Sequence, residues 1–208
     1  MSAADEFRNA RELLIAHRED ADAARAAFRW PRPEEFNWVD DWFDPFASGN
    51  NAIALKVVRE GKPEITTFAE MAERSKRVAR WLRDAGAERG DRMLVMLTNV
   101  TPLWETVLAA IRLGVVVIPA TPQLTPRDLE DRAGRGSVKH IVTDAEGAAK
   151  LTDRSCVKIK LSTEPAEGFE AFDLAREAKA ELDPVKTRGD DPLLLYFTSG
   201  TTAKPTHV

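Results

Sequence analysis

The residues best suited to chemistry stand together at the carboxyl end: Thr198, Ser199, Gly200, Thr201, Thr202 and Lys204. Four hydroxyls there can donate hydrogen bonds to an anion. Gly200 lacks a Cβ, so the backbone amides beside it can come close to a ligand. Successive amides in such a turn form a nest that binds anions. Lys204 adds a positive charge. The apolar run Leu193 to Phe197 leads into this group and reads as a strand. A strand ending in a small, hydroxyl-rich, cationic loop suits the gripping of a polyphosphate. The same residues also suit a polar surface turn, because Ser, Thr and Gly are common in turns.

Other residue types narrow the chemistry. Neither G-x-x-x-x-G-K-S/T nor G-x-G-x-x-G occurs, which disfavours a P-loop NTPase and a dinucleotide dehydrogenase. The single cysteine, Cys156, excludes an intramolecular disulfide and a cysteine-based zinc site, and reads as core. His17 reads as surface and His140 as structural. Asp40, Asp41 and Asp44 are spaced as a solvated helix face with caps. The five tryptophans suggest packing of the amino-terminal segment.

Composition sets the class. The chain has 208 residues, 43% hydrophobic and 31% charged, with net charge −4. That is globular composition for one or two domains. Without a clustered basic face, no nucleic-acid partner is expected. No run approaches the ~18 apolar residues of a membrane span. The first residues lack the basic and apolar regions of a signal peptide, so a cytoplasmic location is expected.

The elements that must position the terminal loop follow from patterning. Residues 3–29 predict one or two amphipathic helices anchored by Phe7, Leu14 and Phe28, stopped by Trp30-Pro31-Arg32-Pro33. Residues 37–43 predict a short helix with Trp38, Trp42 and Phe43 inward. Residues 51–67 predict a hairpin turning at Glu60-Gly61-Lys62. Thr67 to Glu70 is a capping box opening a helix that Gly86 closes. Met93 to Leu97 reads as a buried strand. Thr101-Pro102 caps and opens a helix ending at Gly114. Strands are expected at 115–118, 138–142 and 157–161, and helices from Thr125, over 144–151 and over 169–179. From residue 92 the order is β-α-β-α-β-α-β. The expected fold class is therefore α/β, a largely parallel sheet flanked by helices, with a helical amino-terminal extension. The division expected is 1–50 as the helical, Trp-rich extension and 51–208 as the α/β unit.

These residues resemble the adenylate-forming enzymes, a family of acyl-CoA synthetases, peptide-synthetase adenylation domains and luciferases. Tyr196-Phe197-Thr198-Ser199-Gly200-Thr201-Thr202 is similar to the family's phosphate motif, Y-T/F-T/S-S-G-T-T/S-G-x-P-K. Thr67-Phe68-Ala69-Glu70, Gly90-Asp91-Arg92 and Ala109 to Ala120 resemble family segments in the same order. Phe36-Asn37 with Asp40 or Asp44, and Leu124 to Leu129, look most like the short- and medium-chain acyl-CoA synthetase branch. The resemblance runs from about residue 36 to the end. Two positions depart from it: Ala203 stands where the motif has glycine, and Thr206 where it has lysine. Thr206-His207-Val208 is similar to a stretch that lies further on in the family. Loop residues omitted between Pro205 and Thr206 are therefore expected, and an intact mass equal to 23.1 kDa would refute that.

The resemblance implies an ATP-dependent, AMP-forming ligase of fatty-acid metabolism. A small-molecule carboxylate would attack the α-phosphate, and the thiol of coenzyme A would then displace AMP. ATP, Mg2+ and coenzyme A are the implied cofactors. Thr198, Ser199, Gly200, Thr201 and Thr202, with Lys204, would hold the β- and γ-phosphates. The family's adenine, ribose, hinge and catalytic-lysine segments lie downstream of that motif. The 208 residues are thus expected to be an inactive fragment of a longer enzyme, with no catalytic residue of their own. The other expectation is a non-catalytic relic domain that binds a partner or forms a homo-oligomer.

Overall fold

The computed structural model describes residues 2–59, 61–151 and 157–197. Its amino-terminal helices are α1 (Ala3–Ala16) and α2 (Ala21–Ala27). Ser2 and Asp5 form a capping box on α1, and Asp20 caps α2. Neither helix has a buried residue. Phe7 does anchor α1, stacking on Phe36 at 5.5 Å and lying tilted against Trp42 at 5.1 Å. Leu14 does not anchor it; its side chain stays exposed, as does Trp30.

The Trp-rich segment folds as a π-helical turn, Trp38–Phe43, continuing into α3 (Asp44–Ala47). Val39, Phe43 and Ala47 are its buried residues, packed with Met71, Ala72 and Leu108; Trp38 and Trp42 are half-buried. The hairpin is present as β1 (Ile53–Arg59) and β2 (Lys62–Thr67), paired antiparallel with Arg59 opposite Lys62. Glu60, expected in its turn, lies outside the described residues. The Thr67–Glu70 capping box opens α4 (Phe68–Asp84) as predicted, and Gly86 follows with positive φ. The expected cap of the next helix, α5 (Thr101–Leu113), differs. Its cap is Val100, with no side-chain bond, while the Thr101 hydroxyl donates to Glu64 at 2.7 Å.

The main sheet has the order β4-β3-β5-β6-β7, all parallel. Its strands are β3 (Arg92–Met96), β4 (Val116–Pro119), β5 (His140–Thr143), β6 (Ile159–Ser162) and β7 (Glu170–Ala171). Between them run α5, α6 (Pro126–Arg135) and α7 (Ala145–Lys150), and α8 (Phe172–Glu177) follows β7. Sequence patterning put a helix at residues 169–171, where β7 begins. Two residues are too few to show a strand period.

Alternation along β3 explains both layers. Met93 and Val95 pack with Val78 and Leu82 of α4, Leu113 of α5 and Phe172 of α8. Leu94 and Met96 face the other way, toward Leu129 of α6 and Leu151 after α7. The second layer is tight at Gly147. A Cβ there would collide with Thr143 Oγ1 and Met96 Cε. Thr143 is fixed by its bond to the Met96 carbonyl, at 3.0 Å. Gly147→Ala is expected to destabilise the chain by about 1–3 kcal/mol despite alanine's better helix propensity. A urea midpoint unchanged or raised in that variant would refute the crowding.

Candidate functional site

The strands of the sheet run one way, so their carboxyl ends share one edge. In open parallel sheets ligands gather at that edge, where successive connections diverge. Here β3 connects to β4 on one side, and β5 to β6 on the other, so the divergence falls between β3 and β5. Residues 193–195 lie on the outer side of β4. The Val117 amide donates to the Leu193 carbonyl at 3.1 Å, and the Leu195 amide to the Val117 carbonyl at 2.9 Å. The expected terminal strand is thus a short parallel bridge at Leu194, and its direction carries the chain toward the carboxyl edge. Leu195 and Phe197 pack on the second core layer. The Phe197 ring lies 5.5 Å from the guanidinium carbon of Arg132 and 5.0 Å from that of Arg135. Thr198, Ser199, Gly200, Thr201, Thr202 and Lys204 lie outside the described residues, as does Cys156.

The approach to the site is clamped at several points. Arg89 donates to both Asp191 oxygens, at 2.8 and 2.7 Å. That pairing holds the Asp191 carboxyl below its usual pKa. The Thr187 hydroxyl donates to the Phe36 carbonyl at 2.8 Å, and the Gly189 amide to the Glu34 carbonyl at 3.1 Å. Gly114, left-handed at φ +68, sits beneath this strap. A Cβ on it would lie 2.9 Å from both Arg89 Cγ and Thr187 Cγ2.

Two buried charge clusters were not legible as such. Asp40 and Asp44, expected on a solvated face, instead bind the buried Arg112 of α5. Arg112 Nη1 lies 2.5 Å from Asp40 and 2.7 Å from Asp44, and Nη2 is 2.9 Å from the other Asp44 oxygen. Lys76 adds a second cation at 3.0 Å from Asp44. Burial raises the Asp40 pKa, outweighing the opposing pull of Arg112. Asp41 behaves as a cap, accepting from the Asn37 amide at 2.7 Å. The second cluster centres on Glu105, fully buried in α5, which accepts from Arg176 Nε at 2.8 Å and Nη2 at 3.1 Å. The available signal was spacing: Glu105 and Arg112 are seven apart, on one side of a helix whose other buried residues are two threonines and Leu108, Ala109, Ala110 and Leu113.

His140 is structural. Its ring is fully buried, with Nε2 2.9 Å from Asp91 Oδ2, and Lys139 Nζ lies 2.5 Å from Asp91 Oδ1. Burial lowers the His140 pKa, with the nearby Lys158 and Lys139 charges adding to it, against the opposing effect of Asp91. Burial alone would raise the Asp91 pKa, but bonds from Lys139, His140 and the Glu88 amide leave it lowered. A histidine with a depressed folded pKa binds its proton more readily when unfolded. Its share of stability is complete above the unfolded value of about 6.5 and is lost as pH falls below it. Stability between pH 7 and 5 should therefore fall less steeply in His140→Gln than in the parent chain. Identical slopes in urea titrations across that range would refute this.

Known proteins fit this arrangement. The family model described as AMP-binding enzyme matches residues 46–208. The chain belongs to that family. Among curated relatives in the family is acyl-coenzyme A synthetase ACSM5, mitochondrial, of Rattus norvegicus. It is 33% identical over 192 residues, covering 84% of this chain and 33% of the relative. The 4-hydroxybutyrate–CoA ligase 1 of Metallosphaera sedula is 28% identical over 179 residues, covering 83% of this chain and 31% of that protein. Among solved structures, the Brucella canis acyl-CoA synthetase superposes with a TM-score of 0.77 at 27% identity, covering 91% of this chain and 36% of that one. Acetoacetyl-CoA synthetase from Streptomyces lividans gives 0.76 at 22% identity, covering 86% and 31%, and supports the fold alone. The chain spans about a third of the length of the curated family members it matches. No described helix is long and apolar enough to cross a membrane.

Proposed function

We propose that this chain supplies the triphosphate-gripping part of an ATP-dependent, AMP-forming acyl-CoA synthetase, and that these 208 residues alone do not turn over. The observation that carries the proposal is the placement of residues 193–197. Residues 193–195 run beside β4 toward the carboxyl edge, and in sequence the segment leads directly into Thr198-Ser199-Gly200-Thr201-Thr202. In this reading those five residues, with Lys204, hold the β- and γ-phosphates. Their hydroxyls and amides stabilise charge on departing pyrophosphate as the substrate carboxylate takes the α-phosphate. Coenzyme A then receives the acyl group. Among the described residues no group of three or more His, Cys, Asp or Glu side chains could hold a metal ion. Magnesium would enter with the nucleotide, bound by phosphate oxygens and water. The division into residues 1–50 and 51–208 is part of the same proposal, as is a cytoplasmic location.

Purified chain, incubated with ATP, magnesium, coenzyme A and short- to medium-chain carboxylates, should release no carboxylate-dependent pyrophosphate. The longer protein should release it, and Thr201→Ala there should lower kcat by about 100-fold or more. Turnover by the 208 residues, or an unaffected Thr201→Ala enzyme, would overturn the proposal. A second reading, a relic domain that binds a partner or its own copy, draws support from Leu193, Leu194 and Tyr196, which are exposed on the outer side of β4. A concentration-dependent oligomer abolished by Leu194→Asp would favour it.

A further inference from the structure

Phe197 is the last described residue before Thr198, and its ring meets two cations. The guanidinium carbons of Arg132 and Arg135 stand 5.5 and 5.0 Å from the ring centroid. A cation over an aromatic face is attracted by the ring quadrupole, more strongly where water is excluded. Phe197 is half-buried against the second core layer, while Tyr196 beside it is exposed. Two like charges around one ring repel each other, so the arrangement needs bracing. Arg135 has a brace one turn back, where its Nε donates to Asp131 Oδ2 at 2.9 Å.

The helix that carries both arginines is itself held firmly. Leu129 of α6 is fully buried in the second layer. The Thr125 hydroxyl donates to Asp128 at 2.7 Å and closes the capping box at the helix start. Arg132 and Arg135 are three apart in the last turn, so they share a face. Helical side chains lean back toward the helix amino terminus, so both guanidiniums reach back along α6. The strand before α6 is β4, and Val117 of β4 already bonds Leu193 and Leu195. One strand-and-helix unit therefore grips the segment twice, by backbone at Val117 and by two cations at Phe197.

We propose that Arg132 and Arg135 are positioning residues for the nucleotide motif and act through the Phe197 ring. Holding the ring fixes where the chain enters Thr198. An entry held in one place spares ATP the cost of ordering that segment when it binds. The kinetic consequence rests on the ligase reading; the grip on residues 193–197 does not.

Hydrogen exchange of the 208-residue chain, without nucleotide, reads the grip directly. The double variant Arg132→Gln/Arg135→Gln should quicken exchange at the Leu195 amide by about 5-fold or more. Val95 and Val142 inside the sheet should exchange as in the parent chain, which shows that the variant folds. Phe197→Leu should act like the double variant. Arg127→Gln removes a charge from the first turn of the same helix and should change nothing. In the longer protein, the double variant should lower kcat/KM for magnesium-ATP by about 10-fold, the scale of two such contacts. The KM values for carboxylate and coenzyme A should not move. In a Phe197→Leu background the arginine substitutions should add no further loss. Additive losses would mean that the arginines attract ATP through charge alone, and would overturn the proposal. So would unchanged exchange at Leu195, or a loss shared equally by all three substrates. Failure of the ligase reading shows separately, as a fully active Thr201→Ala enzyme. Exchange at Leu195 would then still decide whether the arginines hold the segment.

Discussion

Arg112→Met should lower the unfolding free energy by about 3–5 kcal/mol, the usual cost of removing one partner from a buried ion pair. The guanidinium is 3% exposed and serves Asp40 and Asp44 together, whose side chains are 20% and 15% exposed. Methionine fills similar volume, so the effect isolates charge from packing. Without the cation, Asp40 keeps no partner of opposite sign among the described residues, and Asp44 keeps Lys76. Asp40 Oδ2 already lacks a hydrogen-bond partner, so little remains to offset its desolvation. The cluster joins the π-helical turn and α3 to α5, so the Trp-rich segment should loosen first. Arg112→Lys should recover only part of the loss, because an ammonium lacks the planar fork that reaches both carboxylates. Urea denaturation of Arg112→Met, Asp40→Asn and the double variant would give the coupling. A loss under about 1 kcal/mol in Arg112→Met would mean that the cluster is solvated and the account is wrong.

Glu105→Ala should cost slightly less, about 3 kcal/mol, at the lower end of the range for broken buried pairs. Glu105 is fully buried and takes a two-pronged contact from Arg176, while Arg74 stands 3.8 Å away. The difference from Arg112 lies in what is left behind. Arg176 is 31% exposed on its side chain and can turn toward water, so its charge is not stranded. The pair ties α5 to α8, across the edge of α4. Hydrogen exchange in Glu105→Ala should therefore quicken in α8 more than in β3. Glu105→Gln keeps the volume and one acceptor, and should fall between the parent and alanine. Uniform exchange across both elements, or no loss of stability, would argue against this role.

Much of the scaffold was readable because its signals are local. The Thr67–Glu70 and Thr125–Asp128 pairs announce α4 and α6 through two side chains three residues apart. Gly114 marks the end of α5 because its φ of +68 suits a residue without a Cβ. The alternation from residue 92 onward gave the parallel sheet. What stayed hidden depends on distant partners. Asp40 and Asp44 look like surface acids until α5 brings Arg112 against them from some seventy residues away. Leu14 has the spacing of an anchor, but its side chain stays exposed. β7 is set by pairing with β6 rather than by its two residues. The phosphate motif was legible as chemistry because it is a contiguous string. The bridge that aims it was not, since Leu194 becomes part of the sheet only when Val117 is beside it.

That bridge also sets an order of events during synthesis. β3, the first strand of the sheet to be made, takes β4 on one flank and β5 on the other. The remaining flank of β4 waits for residues 193–195, which emerge after every strand of that sheet. Contacts between segments far apart in the chain close slowly, because loop entropy must be overcome before they form. The ribosome therefore releases a nearly complete sheet before the segment that leads to the nucleotide motif can dock. Until then Val117 keeps an open backbone edge, which a nascent neighbour or a chaperone could engage.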